Sequence, residues 1–388
     1  MSLPQDKVLQ LLEIMNSISD SKMPAKPPII GCFEAAMCEN TLDFLILVGK
    51  EPHTLPELRA IYDENFDAGD EGWDEIWGEI FEMGFLIPAA DEVHYIMTPM
   101  FPGWIEFSCA GEMNEKRKAI LRSFLDFWKI LKDSNTPAVR KLMNRRGMKK
   151  CEKSEPYIAT YVTLNEPITS EHRTHTYHSA FELLEQHKDE LVIAPCICRR
   201  HRLLDDEDYE CLQHTALEAC IAIGPVGKQM VANGTARPLA WEEAVEVLAR
   251  LQKQGCVHTA FHYSNKMEDG VFALCNCCKD CCLMYSGYQE GSLSQVFIKA
   301  YHTPKIVNLD ACTGCNLCGK YCPTDGIWYD REAGELVFNY ENCIGCGQCV
   351  TQCRFGVQEM VEDVRNVFVQ TKARPDEVEA EAAEASEQ

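Results

Sequence analysis

The 388-residue sequence predicts a multi-domain α+β chain, and three observations carry that expectation. Two copies of one four-cysteine run lie near the end of the chain, each behind a short strand-like segment. A second cysteine field follows an apolar strand-like run and is interrupted by an amphipathic helix. Between residues 40 and 100, helices and short strands follow one another in a winged-helix pattern.

The first run is Cys312, Cys315, Cys318 and Cys322, followed by Pro323; the second is Cys343, Cys346, Cys349 and Cys353, followed by Arg354. Each reads C-x2-C-x2-C-x3-C, and every cysteine of the second copy lies 31 residues after its counterpart. This spacing suits a 4Fe-4S cube, whose iron corners each take one thiolate. Three cysteines of one short loop cover three corners, and the longer step carries the fourth to the neighbouring cube. Pro323 helps by turning the chain away. One cluster is therefore expected on Cys312, Cys315, Cys318 and Cys353, and the other on Cys343, Cys346, Cys349 and Cys322. Zinc prefers well-separated C-x2-C pairs and fits this run poorly.

The flanks repeat as well. Val307 to Asp310 and Phe338 to Glu341 read as strands leading into each loop. Gly314 and Gly345 stand at equivalent positions, where the backbone is expected to pass close to a cluster. Residues 303–360 resemble the bacterial two-cluster ferredoxin family. The resemblance implies a pseudo-two-fold α+β module that carries single electrons, here bounded at 301–362. The family usually has a second proline where this chain has Arg354, a cation expected to raise the potential of the adjacent cluster.

Composition sets the compartment. The chain carries 22 cysteines and a net charge of −23. The N-terminus lacks an apolar signal segment, and Leu42 to Val48 is far too short to span a bilayer. A cytoplasmic protein is expected, with thiolate ligands rather than disulfides, in an oxygen-poor cell.

The second field contains Cys196 and Cys198 after the strand-like Leu191 to Ala194, then Cys211 and Cys220, then Cys275, Cys277, Cys278, Cys281 and Cys282. A helix from Trp241 to Gln254, closed by Gly255, separates its two dense parts. Five cysteines within positions 275–282 are too dense for ordinary core packing. One or two further Fe-S clusters are expected, with Cys196, Cys198, Cys275, Cys277, Cys278 and Cys281 as ligands and Cys211, Cys220 and Cys282 available to complete a set. Zinc is the competing occupant. Arg199, Arg200 and Arg202 are read either as cations beside an anionic cluster or as a solvated basic turn. His201, His214 and His258 lie near enough in sequence to serve as ligands or proton carriers. The arrangement P-C-x-C-R, two spaced cysteines, then C-N-C-C-x2-C-C resembles a group of 4Fe-4S dicluster proteins of anaerobic bacteria. That resemblance implies a winged-helix-like segment before the cysteine field and a ferredoxin module after it.

The remaining boundaries follow. A winged-helix-like domain is expected at 1–110, a basic helical linker at 111–150, a central α/β cysteine-rich domain at 151–300 and an acidic disordered tail at 363–388. Thr54 and Glu57 form a capping box. Trp73 to Met83 reads as an amphipathic helix ending at Gly84, and Val93 to Met97 as a strand. From Glu39 to Glu92 there are 15 acidic and two basic residues, a net of −13, which would repel phosphates and argues against nucleic acid. From Glu112 to Lys150, 12 basic and four acidic residues give +8. Its helix, Asn114 to Lys132, is expected either to pack on the core or to dock an acidic partner, including this protein's own acidic domain in a homodimer.

These readings favour an electron-transfer subunit that serves a partner oxidoreductase or a soluble carrier. A reductase with its catalytic centre at Cys196–Cys282 and a redox-sensing regulator are the alternatives. No dinucleotide or P-loop motif is present, and no catalytic residue can be named from the sequence.

Overall fold

The computed structural model describes residues 2–18, 22–134, 136, 138–139, 172–175, 177–262, 271–283, 285–286 and 299–363. The end of the basic linker, the start of the central region and the tail beyond residue 363 lie outside the described residues.

The N-terminal unit contains α1 (Gln5–Ser17), α2 (Pro27–Ala36), α3 (Glu39–Val48), β1 (His53–Thr54), α4 (Leu55–Asn65), α5 (Gly69–Met83), β2 (Leu86–Pro88) and β3 (His94–Met97). Its small antiparallel sheet has the order β1-β3-β2. Thr54 caps α4, with Glu57 returning a 2.7 Å hydrogen bond from the Thr54 N–H. The start of α5 lies four residues before Trp73, because Asp70 and Glu71 suit the positive end of a helix. It stops at Gly84, whose left-handed φ of 71° a side chain would resist. After a π-helical turn (Met100–Trp104) and α6 (Ile105–Ser108), α7 (Glu115–Asp133) packs on α2. It buries Ile120, Leu121, Phe124 and Phe127. Lys116 and Arg117 on α7 pair with Glu79 and Glu82 on α5 at 2.7 and 3.0 Å. The basic helix thus meets the acidic segment within one chain.

The central unit comprises β4 (His172–His175), α8 (Tyr177–Glu185), β5 (Leu191–Pro195), α9 (Ile197–Asp205), β6 (Glu218–Ile223), α10 (Gly224–Ala232), β7 (Arg237–Pro238), α11 (Trp241–Lys253), β8 (Val257–His262) and β9 (Val271–Cys277). Its six strands run in the order β4-β8-β9-β6-β5-β7, and every neighbouring pair is antiparallel. The connections are nevertheless of the α/β kind: α8, α10 and α11 each join two strands that run the same way but are not neighbours, and only α9 joins an antiparallel neighbouring pair. The β2–β3 edge of the N-terminal unit docks here. Gln229 donates to the Leu86 carbonyl at 3.2 Å, and Asn233 to that of Phe81 at 2.6 Å.

The C-terminal unit holds β10 (His302–Ile306), a 3-10 turn (Leu309–Ala311), α12 (Leu317–Tyr321), β11 (Ile327–Asp330), β12 (Glu335–Phe338), α13 (Gln348–Gln352) and β13 (Gln358–Glu362). β10 pairs with β13 and β11 with β12, which gives two matching antiparallel ribbons. The strands lie earlier than the expected 307–310 and 338–341. Of those residues only Phe338 is in a strand; just after it Asn339 accepts from the Asn342 N–H at 3.1 Å, a side-chain turn that follows the strand. Gln252 of α11 joins this unit by donating to Thr351 at 2.6 Å and accepting from Gln348 at 3.0 Å.

Candidate metal centres

Four cavities or thiol groups collect the cysteines. In the C-terminal unit, one small cavity is lined by Cys312, Cys315, Cys318 and Cys353, and another by Cys322, Cys343, Cys346 and Cys349. The loops that bring them together are shaped by glycine. Gly345 has φ +75°, and a Cβ there would lie 2.3 Å from the His302 carbonyl oxygen. Gly314 has φ +69° and faces the Tyr329 ring, so a neighbouring side chain as well as a cluster requires its small size. The Gly326 N–H donates to Cys322 Sγ at 3.0 Å, the kind of amide–sulfur bond that stabilises a ligating thiolate. The two groups differ in exposure: Cys322, Cys343, Cys346 and Cys349 are buried, whereas Cys315 is exposed. Four convergent thiols with amide donors fit a 4Fe-4S cube in each place.

The central field separates into two groups. Cys196 caps α9 and Cys198 sits in its first turn, directly after β5. Cys220 lies on β6 opposite Ala194. Cys275 and Cys277 lie on β9, opposite Thr259 and Val257 of β8. Alternation along a strand sends residues two apart to one face, so Cys275 and Cys277 share a face and Asn276 takes the other. With Cys282 these residues form a ring in which each thiol meets two others: Cys196 meets Cys198 and Cys220, Cys275 meets Cys220 and Cys277, and Cys282 meets Cys198 and Cys277. All six line a cavity of about 110 Å³, which Cys278 and Cys281 also border and whose other walls include Phe107, Val226 and Phe272. The second group is Cys211, Cys278 and Cys281, whose sulfurs all lie within 4.8 Å of one another.

Arg199 supplies the charge test for the ring. It is 4 % exposed and lines the same cavity. It donates to the Asn276 carbonyl at 3.1 Å and to Cys256 Sγ at 3.6 Å, while its buried Nε and Nη1 have no hydrogen-bond partner among the described residues. Burial works against its charge, but the nearby Cys196, Cys278 and Cys256 outweigh it and hold its pKa up. A buried cation with spare donors beside six thiols fits an anionic cluster. The other arginines go elsewhere. Arg200 donates to the carbonyls of Cys109 and Gly111, and Arg202 donates to that of Asp280 at 3.0 Å. The three neither form a solvated turn nor act together.

The histidines do not converge on the thiols. His258 is buried, with Nδ1 at 2.6 Å from Asn276 Oδ1 and Nε2 at 2.8 Å from Gln252 Oε1, so neither nitrogen faces a metal. Burial lowers its pKa to about 4. His201 lies 3.6 Å from Asp205. His214 adopts φ +52° in a turn, where its carbonyl accepts from Gln254. Two further residues escape a motif-based reading. Cys256, isolated between Gly255 and β8, is buried beside Arg199. Tyr285 is buried in one apolar group with Val257, Cys282, Ile344 and Cys346, against which Cys198 and Cys277 also pack. No sequence pattern marks either residue.

Comparison with known proteins agrees with the C-terminal geometry. The family model of a 4Fe-4S dicluster domain matches residues 304–354. The chain is 29% identical over 116 residues to the electron transport protein HydN of Escherichia coli (strain K12), covering 27% of this chain and 65% of that protein. The chain therefore spans just under two thirds of that relative's length. It is 32% identical over 65 residues to the iron-sulfur subunit of the nitrate-inducible formate dehydrogenase of the same strain, or 16% of this chain and 22% of the subunit. It is also 36% identical over 44 residues to the archaeal-type glutamate synthase [NADPH] of Dehalococcoides mccartyi, or 11% and 9%. No solved structure matches the chain. With eight thiols gathered in two sets of four and a family match across them, residues 304–354 are a 4Fe-4S dicluster domain of the bacterial ferredoxin type.

Proposed function

We propose that this protein is an electron-transfer subunit of an anaerobic oxidoreductase system, and that electrons run between the central ring and the surface through the two ferredoxin-type clusters. The observation that carries this reading is the shared apolar group of Cys346, Tyr285 and Cys282. In it Cys346, read as a ligand of the buried cube, and Cys282 of the central ring both lie near one aromatic residue. The other cube lies at the rim, with exposed Cys315 and half-exposed Phe355 beside it. The order ring, buried cube, rim cube is what a relay requires. Cys196, Cys198, Cys220, Cys275, Cys277 and Cys282 hold the additional cluster in this reading, with more thiolates than the four a cube takes. HydN is named as an electron transport protein and another relative as a formate dehydrogenase subunit, which supports a partner oxidoreductase subunit or a soluble electron carrier.

The β1-β3-β2 sheet with its helices is read as a winged helix turned to internal packing. Its hairpin edge docks on α10, and Glu79 and Glu82 of α5 pair with α7. Its net charge of −13 between Glu39 and Glu92 adds to the case against DNA. Among the described residues no helix is long and apolar enough to cross a membrane, in keeping with a cytoplasmic subunit.

A relay makes a kinetic demand. In a Cys318→Ser chain lacking the rim cube, a reduced protein donor should no longer reduce the central cluster at the wild-type rate, while dithionite still reduces it. Unchanged reduction by the protein donor would rule out the rim cube as the gate. The apolar walls of the 110 Å³ cavity favour one second reading, a reductase whose substrate meets the ring there. Spectral shifts of the central cluster on adding an apolar oxidant, with turnover, would select it.

A further inference from the structure

Cys211, Cys278 and Cys281 differ from the ring in a way that bears on what they bind. β9 ends at Cys277, and Cys278, the first residue past it, borders the ring's cavity together with Cys281 while its sulfur groups with those of Cys211 and Cys281. The chain then makes a C-x2-C turn in which the Cys281 N–H donates to Cys278 Sγ at 3.2 Å. Cys211 arrives from the loop after α9, with its sulfur 3.8 Å from Cys278 and 2.9 Å from the Thr215 hydroxyl. The loop is fixed there by Asp280, which accepts from the Leu212 N–H at 2.8 Å and from the Tyr209 hydroxyl at 2.5 Å.

The sulfur spacing decides between a cluster and a single ion. Around a cube, each thiolate sits on its own iron and the core keeps the sulfurs apart. Around one tetrahedral ion with a metal–sulfur bond of about 2.3 Å, the sulfurs approach to about 3.8 Å. The three thiols are mutually close, and the measured 3.8 Å matches that edge. In the ring, by contrast, no three of the described thiols lie within 4.8 Å of one another, and the six surround an open cavity. We infer that Cys211, Cys278 and Cys281 bind a single zinc ion, separate from any iron–sulfur cluster of the central field. Soft thiolates select zinc over hard divalent cations, and three protein ligands leave one tetrahedral position for a further ligand. The bound ion pins the loop around Cys211 to the end of β9.

Metal analysis of the anaerobically purified full-length chain tests this assignment. About one zinc per chain is expected beside the iron. Cys278→Ser and Cys211→Ser should each lose the zinc and keep the iron and its visible absorption; Cys220→Ser should lose iron and keep the zinc. If Cys278→Ser fails to fold, cobalt exchanged into the wild-type chain should give the intense thiolate-to-cobalt band of a tetrahedral site, and Cys211→Ser should abolish it. The inference is overturned if the wild-type chain takes up no zinc when zinc alone is supplied, if no cobalt band appears, or if Cys211→Ser costs about four irons, the content of one cube.

Discussion

Replacing Arg199 with glutamine removes the buried cation that faces the central thiols and should lower the potential of the central cluster. The magnitude follows from Coulomb's law. Arg199 lines the ring's cavity, and the added electron of a reduced cluster is spread over its irons and sulfurs; at a separation of about 7 Å and an effective dielectric of about 20, a unit charge is worth roughly 2.4 kcal/mol. For a one-electron couple, where 1.4 kcal/mol is about 59 mV, the shift is on the order of −100 mV. Potentiometric titration followed by EPR would read it cluster by cluster. The two ferredoxin-type clusters should move far less, since Arg199 lines neither of their cavities. An unmoved central signal, or equal shifts of all the clusters, would refute the placement of this charge beside an anionic centre.

Three other outcomes are expected. Gly345→Ala forces a Cβ to within 2.3 Å of a carbonyl oxygen at φ +75°, so it should cost about 2 kcal/mol or more and deplete the buried cube; Gly334→Ala, at φ +71° in open space, should cost about 1 kcal/mol in the same thermal melts. His258 stays neutral in the fold, with its pKa lowered to about 4 by burial against an ordinary value near 6.5. The unfolded chain therefore binds the extra proton first: the stabilising effect is complete above about pH 6.5 and is lost as the pH falls towards 4, by up to about 3 kcal/mol. Melts at stepped pH should show a shallower acid loss for His258→Asn. Gln252→Ala leaves His258, Gln348 and Thr351 short of partners at the joint between α11 and α13 and should cost about 1–3 kcal/mol, visible as earlier loss of the ferredoxin-type clusters on heating.

Legibility in the sequence tracked how local each feature is. The two C-x2-C-x2-C-x3-C runs carry their ligand geometry within a few residues, and Thr54 with Glu57 specifies a helix start in four. The central field behaves otherwise. Whether Cys277 and Cys278 belong to one site depends on where β9 ends and on a distant loop that brings Cys211 to Cys278, and Cys220 reaches the ring only through the register that sets it opposite Ala194. The divergence of Arg199, Arg200 and Arg202 follows from helical geometry, since neighbours on α9 point in different directions. Composition reports the charge of the segment around Lys116 but not that Glu79 lies 2.7 Å away to receive it. Cys256 and Tyr285 take their meaning entirely from packing, so a motif reading passes over both.

The central claim is that the chain holds an iron–sulfur cluster in the ring of Cys196, Cys198, Cys220, Cys275, Cys277 and Cys282, next to the dicluster domain. Iron and sulfide quantitation on the anaerobically purified, fully reconstituted chain tests it most directly, paired with EPR of the reduced protein. The account predicts about twelve irons per chain, four for each of three cubes, falling to about eight in Cys277→Ser with the two ferredoxin-type signals intact. About eight irons in the wild-type chain, with spectra unchanged by Cys277→Ser, would contradict it.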